Sequence, residues 1–379
     1  MDALILSCSM GGGHDAAGHA VMEELKYRGH HAVMMNPYNL KSETLAERIN
    51  NAYIDIAQKV PRAFGAIYKA GQLYRKLPFR SPVYFANASM VPVMQDYLAE
   101  HHFDIVINSH PFPAEILTNM KQRGIAIPPM IFIATDYTCI PFTEETKCDA
   151  YVIPSAELLQ EFVNRGIPED KLYPLGIPVA RRFRENETRA DARLRLGLEH
   201  DKKYILVAGG SMGGGKIEKA VESLMSGLKN RQDVELIILS GHNQKLFSKL
   251  QLIAEKNTTV LEYTNDMPGY MKAADLFITK PGGLSSTEAA VSGIPILHTS
   301  AIPGCETSNA AFFHQHGMSV CCDSSKDSLC AALEKLENKT VCDCMVQNQQ
   351  KVIAPDAAVK ICELAETIAM AGKEKHSDV

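Results

Sequence analysis

Short apolar runs recur along the whole chain, and the stretches between them carry helical spacing. In the first half the runs Ala3–Leu6, Ala32–Met35, Ile105–Ile107, Met130–Ala134 and Ala150–Ile153 predict strands. Helices are predicted between them, over His14–Tyr27 and Ala114–Arg123. Alternation of this kind implies an α/β fold with a parallel sheet covered on both faces. The second half repeats the pattern. Strands are predicted over Tyr204–Ala208, Val234–Leu239, Thr259–Leu261, Leu276–Thr279, Ile296–His298 and Ser319–Cys321, with helices over Lys216–Leu228 and Ser285–Ser292. Domains are therefore expected over 1–175 and 185–356, joined by a linker over 176–184 that opens on Gly176-Ile177-Pro178-Val179. A last helix over 357–371 is expected to pack back on the first domain, ahead of a polar, frayed tail from Gly372.

The string Ser-Met-Gly-Gly-Gly occurs twice, at 9–13 and at 211–215, each time between a predicted strand and a predicted helix. Glycine lets such a turn adopt positive φ and lets a ligand approach bare backbone. The helix behind it directs free N–H groups and a positive dipole end at the same point, which favours an anion. Two such units predict two Rossmann-like halves with ligands held between them.

Composition narrows the class. The chain has 379 residues, 46% hydrophobic and 22% charged, with a net charge of -5. That describes a globular protein with no global basic field for nucleic acid. Its ten cysteines include no C-x-x-C pair, so they read as reduced thiols of a cytosolic protein rather than zinc ligands. The first apolar run stops at Ser7, too early for an export signal, and none approaches the ~20 residues that cross a bilayer.

One segment breaks the alternation. Between Ile56 and Met90 stand six basic residues (Lys59, Arg62, Lys69, Arg75, Lys76, Arg80), six aromatics and no acidic residue. Phe64, Ile67, Tyr68 and Gly71 share one helical face, and Lys69 and Lys76 point elsewhere. Taken alone, this stretch fits equally an interfacial helix on an anionic membrane and a core helix with a solvated basic face.

The string TKPGGLSSTEA at 279–289 carries the most specific chemistry. A strand ends at Thr279, Pro281-Gly282-Gly283 turn, and Ser285, Ser286 and Thr287 start a helix. The amides and hydroxyls make a nest suited to a diphosphate. Glu288, placed in the first turn, is able to accept two hydrogen bonds from the vicinal hydroxyls of a ribose. A plain capped helix is the alternative for this string in isolation.

The string resembles the donor-nucleotide signature of glycosyltransferase family 28, which includes lipid II-forming N-acetylglucosaminyltransferase, monogalactosyldiacylglycerol synthase and processive diacylglycerol glucosyltransferases. The resemblance extends over SMGGGH at 9–14, SHPFP at 109–113, TDYTCIP at 135–141, GIPV at 176–179, GGSMGG at 209–214, YTNDMPGYMKAAD at 263–275 and GCETSN at 304–309. It is nearest to the diacylglycerol branch. It implies a GT-B fold with the donor in the carboxyl-terminal domain and the acceptor at the other. Tyr263, Thr264 and Met267 would hold uracil. Ser211, Gly213, Gly282, Gly283, Ser285, Ser286 and Thr287 would meet the diphosphate, Glu288 the ribose, and Glu306, Thr307 and Asn309 the sugar. The acceptor side would comprise Gly12, Gly13 and His110, with Phe64, Tyr68, Lys69, Arg75, Lys76 and Arg80 on the membrane. The chain departs from the family at Ala180, where relatives carry Arg, and at Cys305, where they often carry Gln.

Inverting transfer needs a base for the acceptor hydroxyl. His14, closing the first glycine loop, and Asp136, following a strand at its carboxyl edge, are the two candidates. No D-x-D string occurs, so no metal and no cofactor are expected. The expected activity is transfer of a hexose, glucose ahead of galactose, from a UDP-sugar to a diacylglycerol-type lipid. The expected location is peripheral, on the cytoplasmic face of the cell membrane. The alternatives are an N-acetylglucosamine transferase acting on a polyprenyl-linked acceptor and a UDP-sugar 2-epimerase. An NAD-dependent oxidoreductase would want a G-x-G-x-x-G turn, which neither loop supplies.

Overall fold

The computed structural model describes residues 1–8, 12–48, 80–210, 217–228, 231–299 and 301–377. Two units divide the chain: Met1–Arg181 with Pro303–Cys305 and Pro355–Val379, and Arg182–Ile302 with Glu306–Ala354.

The first unit is built on six parallel strands: β1 (Asp2–Leu6), β2 (His31–Met35), β3 (Ile105–Asn108), β4 (Met130–Ile133), β5 (Ala150–Val152) and β6 (Leu172–Tyr173). Their order is β2-β1-β3-β4-β5-β6. The strand period of two splits each run between the faces. Leu4, Leu6, Val106 and Phe132 enter one core cluster, and Ala3, Ile5, Ile107 and Ile133 enter the other. Both faces are covered, which is why the runs are continuously apolar. Strand β6 was not anticipated, because Pro174 interrupts the apolar run right after Leu172-Tyr173.

The terminal helix, Ala357–Ser377, belongs to this first unit. Ile361, Cys362, Ala365 and Ala369 join the cluster of Ala3 and Ile5. Glu366 lies 3.1 Å from Arg28 Nη1 and 2.9 Å from His30 Nε2. The helix continues past the expected fray point at Gly372. Gly372 packs against Pro129, and Lys373 Nζ reaches Asp104 at 2.9 Å.

The second unit carries β7 (Lys203–Ala208), β8 (Val234–Leu239), β9 (Thr258–Leu261), β10 (Leu276–Thr279), β11 (Ile296–His298) and β12 (Val320–Cys321), all parallel. The order is β12-β11-β10-β7-β8-β9. Helix Ile217–Leu228 buries Ile217, Ala220, Val221, Leu224 and Leu228 at helical spacing, in one cluster with Val207, Ile238 and Leu276.

In each unit the strand order reverses beside the unit's first strand, between β1 and β3 and between β7 and β10. Loops at the carboxyl ends of strands diverge there and leave a crevice where ligands of open α/β sheets bind. Among the described residues no helix is long and apolar enough to cross a membrane.

Candidate active site

The first crevice gathers a histidine and its supports. Gly12 takes φ 80° as the N-cap of helix Gly13–Tyr27 and so places His14 in the first turn. His14 Nδ1 lies 2.7 Å from the Ser109 carbonyl oxygen and 2.9 Å from Thr135 Oγ1. A carbonyl oxygen only accepts, so Nδ1 carries the proton and donates it. In the neutral ring the lone pair then rests on Nε2, the tautomer a general base requires. Ser109 follows β3 and Thr135 follows β4, so three neighbouring strand ends fix one imidazole. Asp136 stands next to Thr135 on the same edge and is half-buried.

His110 packs edge-on against His14, with ring centroids 4.5 Å apart. It caps helix Pro111–Gln122, and its Nδ1 accepts the Phe112 N–H at 3.2 Å. That helix starts three residues before its expected beginning, because Pro111 and Pro113 sit in a first turn that has no use for their missing N–H groups. His110 is buried, and burial, reinforced by His14, holds its pKa well below the usual histidine value. It caps its helix and walls His14 on the acceptor side. The row continues through Phe112, 4.6 Å from His110, to Phe142 at 6.2 Å. Phe142 has φ 76°, the one non-glycine residue at positive φ among those described. A bulky residue held there costs about 1–3 kcal/mol, and such strain concentrates at working loops.

Arg80 is engaged by the protein itself. Its guanidinium donates to the Glu145 carbonyl at 2.5 Å and lies 4.8 Å over the Tyr84 ring. It anchors the start of helix Pro82–Ala88 and is not a freely projecting membrane cation. Phe64, Tyr68, Lys69, Arg75 and Lys76 lie outside the described residues, as do Ser211 and Gly213.

The second crevice is open at a helix start. Helix Gly283–Ser292 has as its N-cap Gly282, which brings no side chain to cap it. The N–H groups of Gly283, Leu284 and Ser285 occupy the first turn, where no intrahelical acceptor exists. Ser286 is already in the ladder, its N–H bonded to Gly282 at 3.0 Å. Its hydroxyl is buried against His298 Nε2 at 2.9 Å, and burial pushes the His298 pKa down to about 3. Thr287 is buried too, donating to the Gly283 carbonyl at 2.7 Å. The Ser286 hydroxyl ties the helix to β11, while that of Thr287 bonds back within its own helix.

Glu288 lies one turn inside this helix rather than in the first turn, because the helix starts at Gly283. It is half-buried, no hydrogen bond or ion pair to it occurs among the described residues, and burial pushes its carboxyl pKa up to about 8. A desolvated carboxyl without a protein partner beside an open helix start marks a binding position.

Lys280, unassigned from the sequence, stands in the same crevice. Its Nζ lies 2.6 Å from Glu306 Oε1, and its Cε lies 3.3 Å from where a Cβ on Gly210 would sit. Its signal was present as the one cation in the 279–289 string. The other Glu306 oxygen accepts the Ile302 N–H at 2.8 Å, so this carboxylate braces two loops. Buried Asn309 donates to the Pro281 carbonyl at 3.1 Å and supports the turn. Thr307 is exposed. Tyr263 is exposed, while Thr264 and Met267 are half-buried, with Thr264 Oγ1 accepting the Asp266 N–H at 3.0 Å. No group of three or more His, Cys, Asp or Glu that could hold a metal occurs among the described residues.

Comparison with known proteins gives the family and the fold. Residues 14–179 match the family model of monogalactosyldiacylglycerol (MGDG) synthase, and residues 204–362 match the glycosyltransferase family 28 C-terminal domain. A processive diacylglycerol beta-glucosyltransferase of Bacillus pumilus is 24% identical over 367 residues, spanning 95% of this chain and 93% of the relative. The crystal structure of Acinetobacter baumannii MurG superposes with a TM-score of 0.62 at 17% identity, over 97% of this chain and 99% of that one. UDP-GlcNAc 2-epimerase from Neisseria meningitidis, bound to UDP-GlcNAc, superposes at 0.63 and 13% identity, over 97% and 100%. At such identities the structural likeness speaks for the GT-B fold, which a transferase and an epimerase share. The two family models and the full-length relative decide between them: this chain is a glycosyltransferase and belongs to glycosyltransferase family 28.

Proposed function

We propose that the chain moves a hexose, glucose ahead of galactose, from a UDP-sugar to a diacylglycerol-type lipid with inversion at the anomeric carbon. The observation that carries the donor assignment is Glu288, a half-buried carboxyl without a partner among the described residues, behind the open helix start at Gly283–Ser285. Its two oxygens suit vicinal ribose hydroxyls, and the first-turn amides with Lys280 suit the diphosphate. Tyr263, Thr264 and Met267 flank the base, and Thr307 faces the sugar.

In the reaction the acceptor oxygen bonds to the anomeric carbon, the bond from that carbon to the UDP oxygen breaks, and UDP leaves with the electron pair. Charge therefore grows on the diphosphate, where preorganised amides and a lysine stabilise the transition state more than the ground state. His14 Nε2 takes the acceptor proton, with Asp136 orienting the acceptor or stabilising the imidazolium. Donor and base chemistry require no metal in this scheme. The basic, aromatic stretch between Ile56 and Met90 keeps the enzyme on the anionic cytoplasmic leaflet that holds its acceptor.

The test is UDP release from UDP-glucose with and without diacylglycerol vesicles, followed by mass analysis of the lipid. Vesicle-dependent release with one hexose gained per UDP supports the reading. Release independent of lipid, or a UDP-sugar converted to its 2-epimer with no lipid product, overturns it.

A further inference from the structure

At the far side of the donor sheet, His242, which has no role so far, meets Tyr263. His242, after β8, and Tyr263, after β9, stack with ring centroids 4.2 Å apart and planes 14° from parallel. The stack stands in solvent: His242 is exposed and Tyr263 is 49% exposed. Its base is rigid. Ser240 donates its N–H and its hydroxyl to the Leu261 carbonyl, at 3.0 and 3.1 Å, and so clamps the two strand ends together. Gly241 at φ 63° turns the chain so that His242 comes beneath the tyrosine. Asn243 then caps helix Gln244–Ile253, accepting the Leu246 N–H at 3.0 Å.

The placement says what the rings are for. The anion-binding helix start follows β10, and β7 lies between β10 and β8. Neighbouring strands are about 4.8 Å apart, so β9 lies about 10 Å from β7 along the carboxyl edge. A ribose and its phosphates bridge such a span, with the phosphates at the β7–β10 crevice and the base arriving over β8 and β9. A base brings a π-face, and an aromatic ring held rigid in solvent supplies the other at low entropic cost.

With Tyr263 at the base as proposed above, we infer that His242 is a positioning residue, a second layer that holds the tyrosine ring so that its free face can stack on the base. This rests on the donor assignment above and assigns His242, which neither sequence pattern nor family motif marked. Stacking is blind to base identity, so the pair supplies affinity, while selection of uracil falls to polar groups of the 263–267 segment.

The experiment is calorimetric titration of the full-length protein with UDP and, separately, with inorganic pyrophosphate, which has no base. Tyr263→Ala should weaken UDP at least about fivefold, the low end for losing one base–aromatic stack. His242→Ala should weaken UDP by a smaller factor, and His242→Phe should restore it. Pyrophosphate affinity should stay the same in all three variants. Unchanged UDP affinity in both alanine variants, or equal losses for UDP and pyrophosphate, would overturn the inference. A wild-type protein that binds pyrophosphate but gains nothing from the nucleoside would instead sink the donor assignment itself.

Discussion

Donor affinity should depend on pH through Glu288. Burial raises its carboxyl pKa from 4.5 to about 8, so at pH 7 about nine molecules in ten of the free protein hold it protonated. Ribose hydroxyls donate to the carboxylate, and binding must first remove that proton. One pH unit below the pKa this costs ~1.4 kcal/mol, a factor of about ten in Kd. UDP affinity should therefore rise nearly tenfold between pH 7 and pH 9 and level off above about 8. Glu288→Gln should abolish the rise. It should also cost about 1.5–3 kcal/mol at pH 9, the worth of a hydrogen bond to a charged group. Stability should move the opposite way. The native carboxyl binds more protons than the unfolded one between pH 4.5 and about 8, so this group makes stability fall as pH rises through that window. The Glu288→Gln protein should gain thermal midpoint relative to wild type from pH 5 to pH 8 while losing donor affinity. The assays are calorimetry with UDP from pH 6.5 to 9, using the Gln variant to subtract titration of the ligand, and melting curves over pH 4.5–8.5. A wild-type slope identical to that of the variant would refute the argument.

The remaining expectations concern catalysis, metal and membrane. His14→Ala and Asp136→Asn should each lower kcat at least about 10²-fold, the scale of a positioned acid or base, with UDP affinity intact; a loss confined to KM would remove them from the chemistry. EDTA should leave turnover unchanged, and recovery of activity on adding a divalent cation would contradict the amide-and-lysine account of the leaving group. Neutralising Lys69, Arg75 and Lys76 together should weaken binding to anionic vesicles by about 3 kcal/mol, taking ~1 kcal/mol per cation. Co-sedimentation reads this, and undiminished binding would return the segment to a core role. Arg80 is left out of that variant because its guanidinium holds the Glu145 carbonyl.

The sheets were legible because buried parallel strands are written as continuous apolar runs. Val234–Leu239, Leu276–Thr279 and Ile296–His298 are bounded as the sequence predicts. Strand β6 escaped because Pro174 cuts its apolar run short after Leu172-Tyr173. Gly12 and the histidine behind it were legible too, since positive φ and a helix start leave marks in composition. Which way a helical hydroxyl points is a different matter. Ser285 and Ser286 are adjacent and alike in sequence, yet one lies in the open first turn and the other is buried on His298. Their difference depends on a helix start two residues earlier than the pattern suggested. The protein contacts of His110, Glu306 and Arg80 were not legible for a related reason. Each also has a partner distant in sequence, His14 for His110, Lys280 for Glu306 and Glu145 for Arg80, which no local pattern announces.

The central claim is that the carboxyl-terminal unit grips a uridine diphosphate at the helix start behind β10. A crystal structure of the protein soaked with UDP tests it most directly. The account predicts the diphosphate on the amides of Gly283–Ser285, the ribose on Glu288 and the base beside Tyr263. Nucleotide density against Gly12 and His14 instead, with the 280–288 turn empty, would contradict it.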